Sequence, residues 1–233
     1  LIPAPVPINE NETAEERRAR AREQATDRGA RGSELLLFYV PGGGFQQFPS
    51  GTAKRLDPDR YLSFSMHYNL TGKPETDRSA LGFWLAPERP HHVVLTTSTT
   101  GQSRIVGGEE LVSAGAAPDT ERVPGPRVPV IPPNDGDWEI TGIWPLKDDV
   151  TLYGLWPHMH LRGKDMTYVI TYPDGREEIV LHVPKYDFNW QMVYDFEEPL
   201  KVPAGSTIKT VAHFDNSIRN RYNPAPDKEV YWG

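Results

Sequence analysis

The chain has 233 residues, a net charge of −7 and no cysteine. Its acidity argues against nucleic acid as a partner, the lack of thiols excludes thiolate metal sites, and no apolar run approaches the roughly 18 residues needed to span a bilayer. The 23 prolines, about twice the ordinary share, suit turns and disfavour helix interiors and central strands, so the composition points to short strands rather than a helical bundle.

Residues 1–32 read as an arm and a charged helix. LIPAPVPIN (1–9) is apolar and Pro-rich and reads as extended chain. In ETAEERRARAREQATDR (12–28), Thr13 and Glu16 match a Thr-x-x-Glu capping box. Acidic residues open the segment and Arg residues follow, which suits the helix dipole. This predicts a short solvated helix, and the interleaved Glu and Asp argue against a nucleic-acid arm. Because the chain starts at Leu1 and not at Met, it is expected to be a processed, trimmed or partial piece.

Residues 33–88 switch to strand patterning, with LLLFYV, YLSFSMHYNL and SALGFWLA as predicted strands. They are too few to close a sandwich, so this block reads as a partial first domain. Leu35, Leu37, Phe64, Met66, Phe83 and Leu85 then need cover from missing strands, the N-terminal arm or a protein partner.

Residues 89–233 read as a second, nearly complete domain. Residues 99–127, rich in Gly, Ser, Ala and Pro, are expected to be a long surface loop. Predicted strands follow in DWEITGIWPL, VTLYGLWPHMHL, DMTYVITYP, EEIVLHVP, QMVYDFEEPL and TIKTVAHFD. Pro173-Asp174-Gly175 and Pro203-Ala204-Gly205 supply turns between them. The expected class is all-β, an antiparallel jelly roll or β-sandwich. The aromatic cluster Tyr186, Phe188, Trp190 and Tyr194 is expected to fill its core. Asp215-Asn216-Ser217 is expected to be a turn bonded through its side chains.

Chemistry concentrates on histidine. In a strand, alternate side chains share a face, so His158 and His160 point the same way and their neutral imidazoles could share one ion. Copper, zinc, iron and nickel all suit such donors, and a chance pair or a structural zinc site is the plainer alternative. His67 falls on the polar side of its predicted strand, with Ser65 and Ser63, and reads as a surface or hydrogen-bonded residue. His213 lies in a strand of the second domain. The adjacent His91 and His92 would point to opposite faces of a strand, and His182 reads as a strand-face residue with no partner. There is no nucleophile elbow, P-loop or dinucleotide fingerprint.

Five stretches stand together in one order: LLLFYVPGGGFQQFPSGTAKRL, YLSFSMHYNLTGKPETDRSALGFWLA, LYGLWPHMHLRGKDMTYVITYPDGREE, LHVPKYDFNWQMVYDFEEPLKVPAGSTIK and VAHFDNSIRNRYNPAPDKEVYWG. In this the chain resembles the copper type II, ascorbate-dependent monooxygenases, the family of dopamine β-monooxygenase and peptidylglycine α-hydroxylating monooxygenase, and looks closest to their bacterial relatives. The resemblance implies two jelly-roll domains, each holding one copper, and a periplasmic or secreted location. It implies that His158 and His160 are ligands of the oxygen-binding copper and that His67 belongs to the electron-donating copper. O2 would then hydroxylate an aliphatic C–H bond of an unidentified small molecule, with ascorbate as reductant.

The departures are specific. No His precedes His67, so the family's upstream His pair has no counterpart here. The family's methionine ligand follows a word like VYWG, where this sequence ends at Gly233. His213 is the residue of this chain that could turn in as a third ligand. Trp156 stands where the peptide-processing member has a carboxylate-gripping Arg, which argues against a peptidylglycine substrate. The alternative function is a non-catalytic relative, an accessory or docking subunit of a larger periplasmic assembly.

Overall fold

A computed structural model of the chain describes residues 35–40, 43–56, 62–68, 71–96, 104–106 and 130–230. The expected N-terminal arm and charged helix lie outside the described residues. Two compact units are present: one contains Gln46–Thr96, and the other contains Leu37–Phe45 and the chain from Arg104 onward.

The first unit contains two short strands, β1 (Thr52–Ala53) and β2 (His92–Val93), paired in parallel. Gly51 makes the approach to β1 with φ of 76°, a conformation that disfavours a side chain. Its carbonyl accepts from the His91 N–H at 2.8 Å. Lys54 donates to the carbonyl of Leu35, which belongs to the same unit, and to Thr96 Oγ1.

The strands expected in LLLFYV, YLSFSMHYNL and SALGFWLA are not formed among the described residues. Leu35, Leu37, Phe64, Met66, Phe83 and Leu85 are all exposed, Leu85 at 77 %. Alternation marks a segment as suited to a sheet but supplies no ladder partner, and a strand exists only where a neighbour completes its hydrogen bonds.

The second unit is an all-β sandwich. Its strands are β3 (Arg104–Val106), β4 (Trp138–Pro145), β5 (Val150–Leu155), β6 (Gly163–Thr171), β7 (Glu177–Val183), β8 (Tyr194–Val202) and β9 (Thr207–Phe214). One sheet runs β3-β4-β9-β6-β7, and β5 and β8 form a second; every pairing is antiparallel. The pairs are nested: β6 with β7, enclosed by β5 with β8, enclosed by β4 with β9. An isolated antiparallel bridge, Ile131 with Val230, adds a further outer rung. A long hairpin rolled so that successive rungs fall on alternate sheets is the jelly-roll arrangement.

β3 corrects the expected loop over 99–127, because Arg104–Val106 pairs with Ile143, Gly142 and Thr141 of β4. A three-residue strand is too short to show alternation. The other six strands fall where patterning put them, and both expected turns carry left-handed glycines, Gly175 at φ 85° and Gly205 at φ 83°.

The core lies between the sheets. β6 contributes Met166, Tyr168 and Ile170, spaced by two residues, and β9 contributes Ile208 and Ala212, spaced by four, so that each set shares one face of its strand. Leu146 and Val202 complete the buried cluster, with Val150, Leu152, Leu155 and Leu200 of the smaller sheet packed against it. Of the expected aromatic core, Tyr186 packs on this cluster, whereas Trp190 is 61 % exposed. Trp190 follows the loop turn closed by its own N–H to the Asp187 carbonyl, which carries its ring off the strand and into solvent. Among the described residues, no helix is long and apolar enough to cross a membrane.

Candidate metal centre

β5 ends at Leu155, and the chain reaches β6 at Gly163 through WPHMHLR. This segment forms no named strand, yet the in-and-out rhythm of β5 persists. Pro157 and Met159 are buried while His158 and His160 are exposed. Met159 is 3 % exposed and belongs to the core cluster, so it anchors the segment from below while both imidazoles face outward.

Side chains do the holding that a ladder would do in a strand. The Tyr168 hydroxyl donates to the Trp156 carbonyl at 3.1 Å. Tyr186 uses its hydroxyl twice, accepting from the Met159 N–H at 3.1 Å and donating to the Met159 carbonyl at 2.5 Å. Burial, only partly offset by the Met159 backbone, pushes the Tyr186 pKa up to about 12, so it remains a neutral phenol. Gly163 closes the turn by donating to the His160 carbonyl at 2.8 Å. A Cβ at Gly163 would lie 2.7 Å from Met159 Cβ and 2.8 Å from Tyr186 Cδ1, so only glycine lets this tyrosine and methionine pack on the turn.

The two imidazoles stand edge to face, their centroids 5.3 Å apart. The Trp156 ring lies 4.8 Å from His158 and is itself stacked on Phe38 at 3.5 Å, with planes 8° apart. His158 Nδ1 lies 2.6 Å from Gln191 Oε1. Burial of part of the His158 ring lowers its pKa more than the Gln191 hydrogen bond raises it, which favours the neutral imidazole a metal requires.

The other sequence candidates sit elsewhere. His67 is exposed in the first unit, one residue from Tyr68, whose hydroxyl donates to Asp77 at 2.8 Å. His213 does not turn in. It sits on β9 opposite Glu139 of β4 and Asp165 of β6, with Nδ1 2.7 Å from Asp165 and Nε2 3.5 Å from Glu139. Its neighbour Ala212 faces the core, so alternation turns His213 to the outer side of the sheet. His182 has a partner after all, Thr167 Oγ1 at 2.8 Å, its register mate on β6.

Among the described residues, no three His, Cys, Asp or Glu side chains cluster as a metal-holding group. No protein-family model and no curated protein matches the chain.

The residues present still suit a metal in part. His158 and His160 give two accessible imidazoles on one face, held by a buried methionine between them. Gln191 went unnoticed in the sequence because it carries no charge and opens a stretch read only as strand. Nothing in its neighbours signals that a residue 33 positions away shares its hydrogen bonds.

Proposed function

We propose that this chain belongs to a copper- and ascorbate-dependent monooxygenase-like protein that hydroxylates an aliphatic C–H bond with O2. The observation that carries the reading is the imidazole pair, with His158 and His160 exposed side by side at 5.3 Å and Met159 buried between them. The resemblance in ordered sequence words stands beside it. In this reading one oxygen atom enters the C–H bond, the other leaves as water, and ascorbate supplies the electrons. Copper held by His158 and His160 would supply one-electron chemistry with O2. The chain's own residues set the stage: Tyr186 and Gly163 hold the backbone, and Trp156 backed by Phe38 walls one side of His158. His67 would serve the electron-donating copper. The substrate is a small molecule, the location periplasmic or secreted, and a protein partner would cover the first unit.

One observation favours the second reading, a non-catalytic accessory or docking subunit: among the described residues no third His, Cys, Asp or Glu stands with the pair as a metal-holding group. Copper titration followed by paramagnetic resonance separates them. The result that supports the enzyme reading is a tight one-to-one type II signal that is lost in His158→Ala. No signal at stoichiometric copper overturns the enzyme reading and leaves the accessory one, while zinc uptake without a copper signal points to a structural site.

A further inference from the structure

We propose that Gln191 is the positioning residue of the histidine pair: it holds His158 as the Nδ1–H tautomer and leaves Nε2 bare as the ligand atom. This rests on the reading of His158 and His160 as metal ligands given above, and extends it to a residue outside the ligand set.

The argument is one of donors and acceptors. Gln191 is 2 % exposed, so each of its polar atoms needs a partner from the protein. Its Nε2 donates to the Phe188 carbonyl at 2.8 Å. The reverse amide orientation would set two oxygens against each other at that distance. Oε1 therefore faces His158 Nδ1 at 2.6 Å, and a carbonyl oxygen only accepts. The proton must sit on Nδ1. A neutral imidazole carries one proton, so Nε2 has a free lone pair.

The same residue also limits how the ring can move. The Gln191 main-chain carbonyl accepts from Trp156 Nε1 at 3.3 Å, and the Trp156 ring lies 4.8 Å from the His158 ring. Turning the His158 ring over would replace Nδ1 with a carbon and leave Oε1 buried without a donor. One glutamine thus sets the tautomer, the ring orientation and the indole beside it. Metal-binding histidines are commonly oriented through the second ring nitrogen, and loss of such a partner costs about 10- to 100-fold in metal affinity.

The test uses the full chain. Nitrogen-15 NMR of the metal-free protein, at a pH where imidazole is neutral, reads which ring nitrogen of His158 carries the proton. Copper titration is then run on the wild type, on Gln191→Met, which is nearly the same shape but accepts no such bond, and on Gln191→Glu, whose buried carboxyl keeps the acceptor for Nδ1 and, protonated on its other oxygen, still donates to the Phe188 carbonyl. We expect Nδ1–H in the wild type and in Gln191→Glu, and a mixed or Nε2–H state in Gln191→Met. Copper affinity should fall about 10- to 100-fold in Gln191→Met and recover in Gln191→Glu. Nε2–H in the wild type overturns the proposal, whatever copper does. So does a folded Gln191→Met that binds copper as tightly as the wild type. If Gln191→Met does not fold, the wild-type tautomer and Gln191→Glu still decide. A wild type with Nδ1–H that takes up no copper supports the tautomer lock and refutes the metal reading alone.

Discussion

Asn216 shows how much one polar side chain can organise. It is fully buried, and its amide meets four partners. Nδ2 donates to the carbonyls of Pro132 at 2.7 Å and Lys228 at 2.9 Å, while Oδ1 accepts from Arg162 Nε at 2.7 Å and Asn223 Nδ2 at 2.9 Å. These partners come from three stretches of chain, around Pro132, around Arg162 and over 223–228, all outside the ladders. The adjoining Asp215 accepts from the Ser217 N–H and hydroxyl, as expected for a side-chain-bonded turn. Asn216→Ala would strand several buried groups at once and should cost about 3 kcal/mol or more. Asn216→Asp keeps the shape but turns two donors into acceptors facing carbonyls, and should cost as much. Chemical denaturation checks both, and an unchanged midpoint for either variant would contradict the hub role.

On the scale of strands, β9 is the central element, paired with β4 on one side and β6 on the other. Its two faces carry opposite chemistry. Inward, Thr210 lies between Ile208 and Ala212, and its hydroxyl has no hydrogen-bond partner. Thr210→Val replaces that hydroxyl with a methyl of similar shape and should stabilise the protein by about 1 kcal/mol; a lower melting temperature would show that the hydroxyl is satisfied. Outward, His213 bridges the cross-strand row Glu139–His213–Asp165. Partial burial pulls its pKa down, but the Asp165 hydrogen bond and the charges of Asp165, Asp137 and Glu139 outweigh this and raise it above the usual 6.5. A raised folded-state pKa stabilises the protein fully below the unfolded value, and that gain is lost as pH rises through the folded one. The melting-temperature gap between wild type and His213→Gln should therefore be widest on the acid side of about pH 6.5 and shrink above it. A gap that widened with rising pH would refute the assignment.

At the scale of the whole molecule, the two units differ in how their backbones are satisfied. The sandwich nests its strand pairs, whereas the described part of the first unit has two short strands and many exposed apolar side chains, Trp84 at 89 % among them. Native-state hydrogen exchange should be slowest on β9 and on the flanking β4 and β6, and fast across the described residues of 62–68 and 79–86. Slow exchange in those two segments would mean that they possess ladder partners.

Sequence alone was enough for the all-β class, six of the seven sandwich strands, two glycine turns and the common face of His158 and His160. All of these follow from local rules: alternation with period two, turn chemistry and the geometry of adjacent residues. Tertiary structure decided the rest. Whether LLLFYV or YLSFSMHYNL became a strand depended on a partner elsewhere in the chain. So did the short β3, the carboxylates that hold His213, and the exposure of Trp190. The glutamine that reaches His158 was invisible for the same reason, and so were the distant partners of Asn216, although its side-chain-bonded turn was legible. Hydrogen bonds across long separations depend on which segments meet, and no neighbouring residue records that meeting.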